Sequence, residues 1–127
     1  MTKRIIRTDA APASPLFSQG VRVGPTVHVS GMIGTDVATG RLAGPTIGEQ
    51  TLQALRNGLA VVQAAGGGPG DVVQVTVLLA DPADFAGMNE AYATVFAADP
   101  PTRAVARLGV ELPGVRVSIL MTAHVEV

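Results

Sequence analysis

Asp99-Pro100-Pro101-Thr102-Arg103-Ala104-Val105 is the stretch on which the reading of this chain turns. Proline cannot continue a helix and biases the residue before it toward extended geometry, so Pro100-Pro101 stops the helix ahead of it. The apolar run from Ala104 then reads as a strand, and the whole segment as a sharp helix-to-strand switch. Arg103 stands at the head of that strand. A guanidinium is costly to bury, yet at a strand start it can point into a cleft and grip a planar anion bidentately. The plainer alternative is a solvated arginine on a sheet edge, because charged side chains are mostly exposed.

Working back from the switch, Asp84 is placed to cap a helix that carries Phe85, Met88, Tyr92 and Val95 inward. Before it, Asp71 to Ala80 holds Val72, Val73, Val75, Val77, Leu78 and Leu79, which reads as a strand buried on both faces. Thr46-Ile47-Gly48-Glu49 is a capping box. Leu52, Leu55, Leu59 and Val62 then recur at helical spacing until Gly66-Gly67-Gly68 ends that helix. The glycine run follows a helix and lacks the lysine and hydroxyl of a phosphate-binding loop, so it reads as a helix stop and turn. Lys3 to Thr8 is a short edge-like strand, and Phe17–Val23 with Thr26–Ile33 reads as a hairpin about Gly24-Pro25. Arg103 to Leu108 and Val115 to Val125 close the sheet. The order β-β-β-α-β-α-β-β predicts an α+β fold, a mixed sheet with two helices on one face, in a single domain over 1–127.

Composition bounds the function classes. The chain of 127 residues is 47% apolar and 15% charged, which suits one domain with a real core and argues against disorder. A net charge of −1 recruits neither nucleic acid nor anionic membrane. With no cysteine there is no disulfide framework and no thiol nucleophile. His28 and His124 lie far apart without partners at zinc spacing, so no metal site is expected. Met1 to Arg7 lacks an apolar signal core, and a cytoplasmic protein without a membrane span is expected. In the last strand Val115, Val117, Ile119 and Met121 alternate with Arg116, Ser118, Leu120 and Thr122. Two helices cover one of these faces, so the other calls for assembly, with loops and the first strand as the alternative cover.

The Pro-Pro-x-Arg stretch, Leu112-Pro113 and the strand from Val115 to Val127 resemble the C-terminal signature of the RidA (YjgF-like) reactive intermediate deaminase family. Ala11-Pro12-Ala13-Ser14-Pro15-Leu16-Phe17-Ser18-Gln19-Gly20 resembles its opening segment. Val29-Ser30-Gly31-Met32-Ile33 resembles its third strand and Met88-Asn89-Glu90-Ala91-Tyr92 its second helix. The resemblance implies a chorismate-mutase-like homotrimer with active sites in clefts between subunits. It also implies that Arg103 grips the carboxylate of a 2-imino or enamine acid while water attacks the C=N carbon, releasing ammonia and a 2-keto acid without a cofactor. Positioning of this kind supplies several kcal/mol of barrier lowering, roughly.

Two positions depart from the family pattern. The family glutamate fifteen residues beyond the arginine aligns with Ser118, and its opening tyrosine aligns with Phe17. Ser118 holds a water but does not ionise at neutral pH, and Phe17 keeps a ring without the hydroxyl. The candidate catalytic residues are therefore Arg103 and Ser118, and the candidate substrate-binding set is Arg103, Phe17, Ser30, Asn89 and Val105. His28 is either a titratable group near the cleft or a structural histidine. Glu111 reads as a solvated loop charge, His124 as an interface residue, and Asn89 as a helix, interface or cleft residue. Three functions remain open. The first is hydrolysis of reactive imines, and the second is a module that binds a small carboxylate metabolite without turnover. An endoribonuclease or translation inhibitor is the third, disfavoured by 3% aromatics and negative charge.

Overall fold

A computed structural model describes residues 2–126. Six strands form one sheet in the order β1 (Arg4–Ile6), β2 (Gly20–Val23), β3 (Thr26–Ile33), β8 (Val117–His124), β6 (Val72–Leu79), β7 (Thr102–Arg107). β6 and β7 run parallel and every other pair is antiparallel, so the sheet is mixed. Helices α1 (Ile47–Ala64) and α2 (Phe85–Val95) pack against each other, and α1 lies on β3 and β8. The expected α+β order is present, with a small extra hairpin of β4 (Thr35–Asp36) and β5 (Arg41–Leu42). Two-residue strands carry too little periodicity to be read in advance.

The core follows from alternation. Val27, Val29, Val75, Val77, Val117, Ile119, Met121 and Ala123 all turn toward the helices and are buried. They meet Leu55, Val61 and Val62 of α1 and Met88 and Tyr92 of α2 in one cluster. The register of β3 against β8 jumps between Val29 and Met32, so Ser30 and Gly31 are accommodated in a β-bulge. That extra residue restores Met32 to the core, where it is fully buried.

α1 starts at the expected capping box: Glu49 N–H donates to Thr46 Oγ1 at 3.2 Å, and Thr46 N–H donates to Glu49 Oε1 at 3.4 Å. It ends in a Schellman motif, with Gly67 N–H donating to Val62 O and Gly66 N–H to Gln63 O. Gly66 adopts φ 93°, a left-handed conformation that favours glycine. Asn57, fully buried on α1, donates to Ile33 O and Thr35 O and so pins the end of β3. No helix among the described residues is long and apolar enough to cross a membrane.

Three expectations are corrected. The Asp84 carboxylate does not cap α2, because it pairs with Arg116 Nη1 at 3.0 Å. Asp84 closes a 3-10 turn whose own cap is Asp81, which accepts from Ala83 N–H. Phe85 is 45% exposed rather than inward, since it sits on the first turn at the sheet edge. β6 is not buried on both faces: Val73 is 49% exposed, beside a second register shift, and Gln74 is exposed as well.

Arg22 fastens three chain ends that the sequence patterns left unconnected. Its Nε donates to Gly24 O at 2.9 Å, Nη1 to Ala65 O at 2.8 Å and Nη2 to Val125 O at 2.8 Å. It ties the hairpin turn, the C-terminus of α1 and the end of β8 with a cation placed where the helix dipole favours it. A lysine has no fork to reach three carbonyls at once. Arg22→Lys should therefore lower unfolding stability by about 1–3 kcal/mol, measured by urea denaturation at fixed protein concentration; an unchanged midpoint would remove this tie from the account.

Candidate functional site

The parallel pairing of Val75 with Arg103 sends both side chains to the same side of the sheet, the side covered by helices. Because β7 is the edge strand, Arg103 stays exposed and lies along α2. Its Nη1 donates to Asn89 Oδ1 at 2.7 Å and stands 4.0 Å from Met88 Sδ. The guanidinium carbon lies 4.9 Å from the centroid of the Tyr92 ring and 5.9 Å from that of Phe85, both within cation–π range. Among the described residues no carboxylate comes within ion-pair distance of Arg103. Two residues further on, half-buried Val105 faces the same side and lines an apolar cavity with Leu79, Pro82 and Phe85. Arg103, Asn89 and Val105 thus form one group at the β7–α2 edge.

Phe17, Ser30 and Ser118 form another. Ser30 sits in the β3 bulge, where its N–H donates to Gln19 O at 2.9 Å and its Oγ to Ser18 O at 2.5 Å. Those bonds bring the opening segment, with Phe17 half-exposed, onto the sheet. Gln19 holds the same segment from beneath: it is buried, and its Nε2 donates to Thr8 O, Ala11 O and Pro12 O. Ser118, itself buried, lies between Val117 and Ile119 on β8, and strand alternation turns it to the side away from the helices. A Cβ added at Gly31 would lie 3.0 Å from Ser118 Oγ, which places that hydroxyl beside the bulge.

One chain does not join the groups. Ser118 pairs with Leu78, Leu78 with Ala106, and Ala106 is three residues from Arg103. At ~4.8 Å between strands and ~3.3 Å along them, the Cα atoms are roughly 14 Å apart, with side chains on opposite faces. Within a single chain Arg103 therefore stands apart from Ser118 and the segment that carries Ser30 and Phe17; the expected cleft was one between subunits. His28 projects outward from β3, His124 lies exposed 3.9 Å from the Glu126 carboxylate, and Glu111 is an exposed loop residue.

Comparison with known proteins now gives this arrangement a context. The family model described as Endoribonuclease L-PSP matches residues 8–125. The chain belongs to this family. A rat protein named 2-iminobutanoate/2-iminopropanoate deaminase is 40% identical over 118 residues, which is 92% of this chain and 86% of the rat protein. The crystal structure of RidA from the Antarctic bacterium Psychrobacter superposes with a TM-score of 0.89 at 36% identity, covering 96% of this chain and 99% of that one. E. coli TdcF with bound serine gives 0.89 at 34% identity, over 95% of this chain and 98% of that one. The RidA (YjgF-like) membership anticipated from the motifs is confirmed, and the two-helix mixed-sheet fold with it.

Sequence reasoning took Tyr92 and Phe85 as core residues and missed their contact with Arg103. The signal was present: positions 85, 88, 89 and 92 share one helix face. Burial raises the Tyr92 phenol above its ordinary value, while the nearby Arg103 charge opposes part of that rise. Tyr92 is the sole tyrosine and there is no tryptophan, so tyrosinate absorbance reports this residue alone. Its titration in the folded protein should lie above the ordinary midpoint of about 10 and return to it in denaturant. Below that pH both states keep the proton and stability is unaffected. Above it the unfolded chain ionises first, so stability falls as pH rises through the folded midpoint. Tyr92→Phe should flatten that alkaline fall; an ordinary titration in the folded protein would contradict the burial.

Proposed function

We propose that this chain hydrolyses short reactive 2-imino acids, and their enamine tautomers, to 2-keto acids and ammonia in a cleft completed by neighbouring copies of a homotrimer. The observation that carries the reading is Arg103: an exposed guanidinium held against α2 with no carboxylate partner among the described residues. Such a fork matches a small carboxylate. The relatives support this choice, since the rat relative is named for imine deamination and the TdcF structure holds serine, itself an amino-acid carboxylate. The separation of the two side-chain groups is the reason a second copy is invoked. Arg103, Asn89 and Val105 of one subunit would face Phe17, Ser30 and Ser118 of the next.

In this reading Arg103 fixes the carboxylate, and the apolar cavity at Val105 takes a short alkyl side chain. Water adds its oxygen to C2 while the C=N π pair moves to nitrogen. One proton of that water passes to nitrogen to give the neutral carbinolamine; the second then passes from its hydroxyl to nitrogen, the C–N bond breaks as C=O forms, and ammonia leaves. Ser30 already donates its hydroxyl proton to Ser18 O, so it offers the water only an acceptor. Ser118 Oγ has no partner among the described hydrogen bonds and is the group left to orient the attacking water. Neither serine ionises at neutral pH, so proton transfer relies on solvent and on the substrate itself.

A second reading, a carboxylate-binding module without turnover, is favoured by the same two positions, because Ser118 and Phe17 supply no general acid or base. The nuclease named in the family description gains nothing from a net charge of −1 and four aromatic residues, Tyr92 and three phenylalanines.

The deciding assay generates 2-iminopropanoate and 2-iminobutanoate in situ and follows 2-keto acid formation. Arg103→Ala should lower kcat/KM by about a hundredfold, the value of a bidentate charged contact. Ser118→Glu should raise the rate, a carboxylate beside Arg103 being ionised and able to accept a proton, while Ser118→Ala lowers it only about two- to tenfold, the value of one neutral contact to the water. No turnover in wild type or in Ser118→Glu would favour the binding module. Activity that vanishes in Ser118→Ala would mean the serine-held water is the catalyst itself. Light scattering at micromolar concentration should show a trimer, and a stable monomer would sink the intersubunit cleft.

A further inference from the structure

We infer that Asn89, Tyr92 and Phe85 are positioning residues that form an uncharged cradle for Arg103, ordering its guanidinium while leaving its charge and one edge of its fork free for a ligand carboxylate. This rests on the proposed carboxylate-binding role of Arg103 and names the residues that tune it. The three follow one face of α2, with Met88 between them, at the spacing that stacks side chains above one another. Asn89 Oδ1 takes one Nη1 proton at 2.7 Å, and the rings of Tyr92 and Phe85 lie 4.9 and 5.9 Å from the guanidinium carbon. Every contact is neutral.

Neutrality is the point of the arrangement. An exposed arginine has many rotamers, and some partner must order it before it grips a ligand with fixed geometry. A carboxylate would order it best, but would occupy the fork and cancel the field that attracts an anion. An amide oxygen and two aromatic faces order the group without neutralising it. With Asn89 Oδ1 turned to Arg103, the amide Nδ2 is left as a further donor beside the open edge. Tyr92 contributes its ring: its hydroxyl is buried and finds no hydrogen-bond partner, so a phenylalanine would serve Arg103 equally.

The test measures the Kd of 2-oxobutanoate by calorimetry on the full chain, together with KM and kcat for imine hydrolysis. Asn89→Asp should keep or raise the thermal midpoint through a new ion pair with Arg103, yet weaken binding by about tenfold or more. Asn89→Ala should weaken it by only about threefold, a lost neutral contact. In turnover both changes should appear in KM, with kcat at saturation retained. Tyr92→Leu should cost about two- to fivefold in Kd, and Tyr92→Phe should restore that affinity. A purely structural role would instead make Tyr92→Phe and Tyr92→Leu alike, or make Asn89→Asp harmless to binding, and either result overturns the cradle. If Tyr92→Leu does not fold, the pair of substitutions at half-buried Asn89 decides alone. Failure of the functional reading looks different: the Kd pattern holds and no imine is hydrolysed. Arg103-dependent turnover with an unchanged KM in Asn89→Asp would leave the enzyme reading standing and remove the cradle, as would absence of 2-oxobutanoate binding by wild type.

Discussion

The parallel register of β6 and β7, in which Val75 stands beside Arg103, is the constraint on which the candidate site depends. Strand side chains alternate with a period of two, so a slip of one residue would send Arg103 to the helix-free face and Thr102 or Ala104 toward α2. The register is held from several directions. Val75 and Val77 are fully buried beneath the helices, so β6 has no freedom to shift. Thr102 Oγ1 donates to Val73 O at one end of the pair, and Leu108 N–H donates to Leu79 O at the other. Asp99, at φ 47°, and the two prolines turn the chain out of α2 and into β7.

The bulge in β3 does for the serine group what that register does for Arg103. Without an extra residue at Ser30-Gly31, the alternation that buries Val27 and Val29 would expose Met32. With it, the core is kept and Ser30 turns to the carbonyls of the opening segment, bringing Phe17 with it. The two groups of site residues therefore arise from separate local solutions to the same packing problem, on opposite faces of one sheet. A cleft that uses both is a property of an assembly, which is why the proposed reaction is tied to a homotrimer rather than to the single chain.

The fold was legible in the sequence because its signals are local: the Thr46–Glu49 box and the glycines that stop α1 each act within a few residues, and the Pro100-Pro101 pair stands directly before β7, although α2 already ends at Val95. What escaped depends on distant partners. Asp84 looked like a cap until Arg116, far along the chain, claimed its carboxylate. Phe85 and Tyr92 carried a core-like pattern, and only the placement of β7 turned their rings toward a cation. Arg22, whose carbonyl acceptors come from the β2–β3 turn, the end of α1 and the segment after β8, left no mark in any sequence window. Arg103 was singled out by its position after the prolines and by family resemblance, but neither specified which face it would take.

Comparing three arginines of this chain separates architecture from readiness to bind. Arg22 spends its donors on carbonyls, and Arg116 spends its own on Pro45 O and the Asp84 carboxylate. Both guanidinium groups are tied to carbonyl or carboxylate oxygens of the fold, and their work is to close loops onto helices. Arg103 alone of the three rests on an amide oxygen and ring faces, with neither a carboxylate nor a backbone carbonyl among the described residues taking its donors. Placing a cation on such a support forgoes the Coulombic stabilisation an ion pair would bring, though at an exposed site that sacrifice is only about 1 kcal/mol or less. The return is a guanidinium already ordered before a ligand arrives, so less of the binding free energy goes to restraining it. An exposed sheet edge suits this exchange better than a buried pocket, because solvent keeps the unpaired charge tolerable until a carboxylate replaces it.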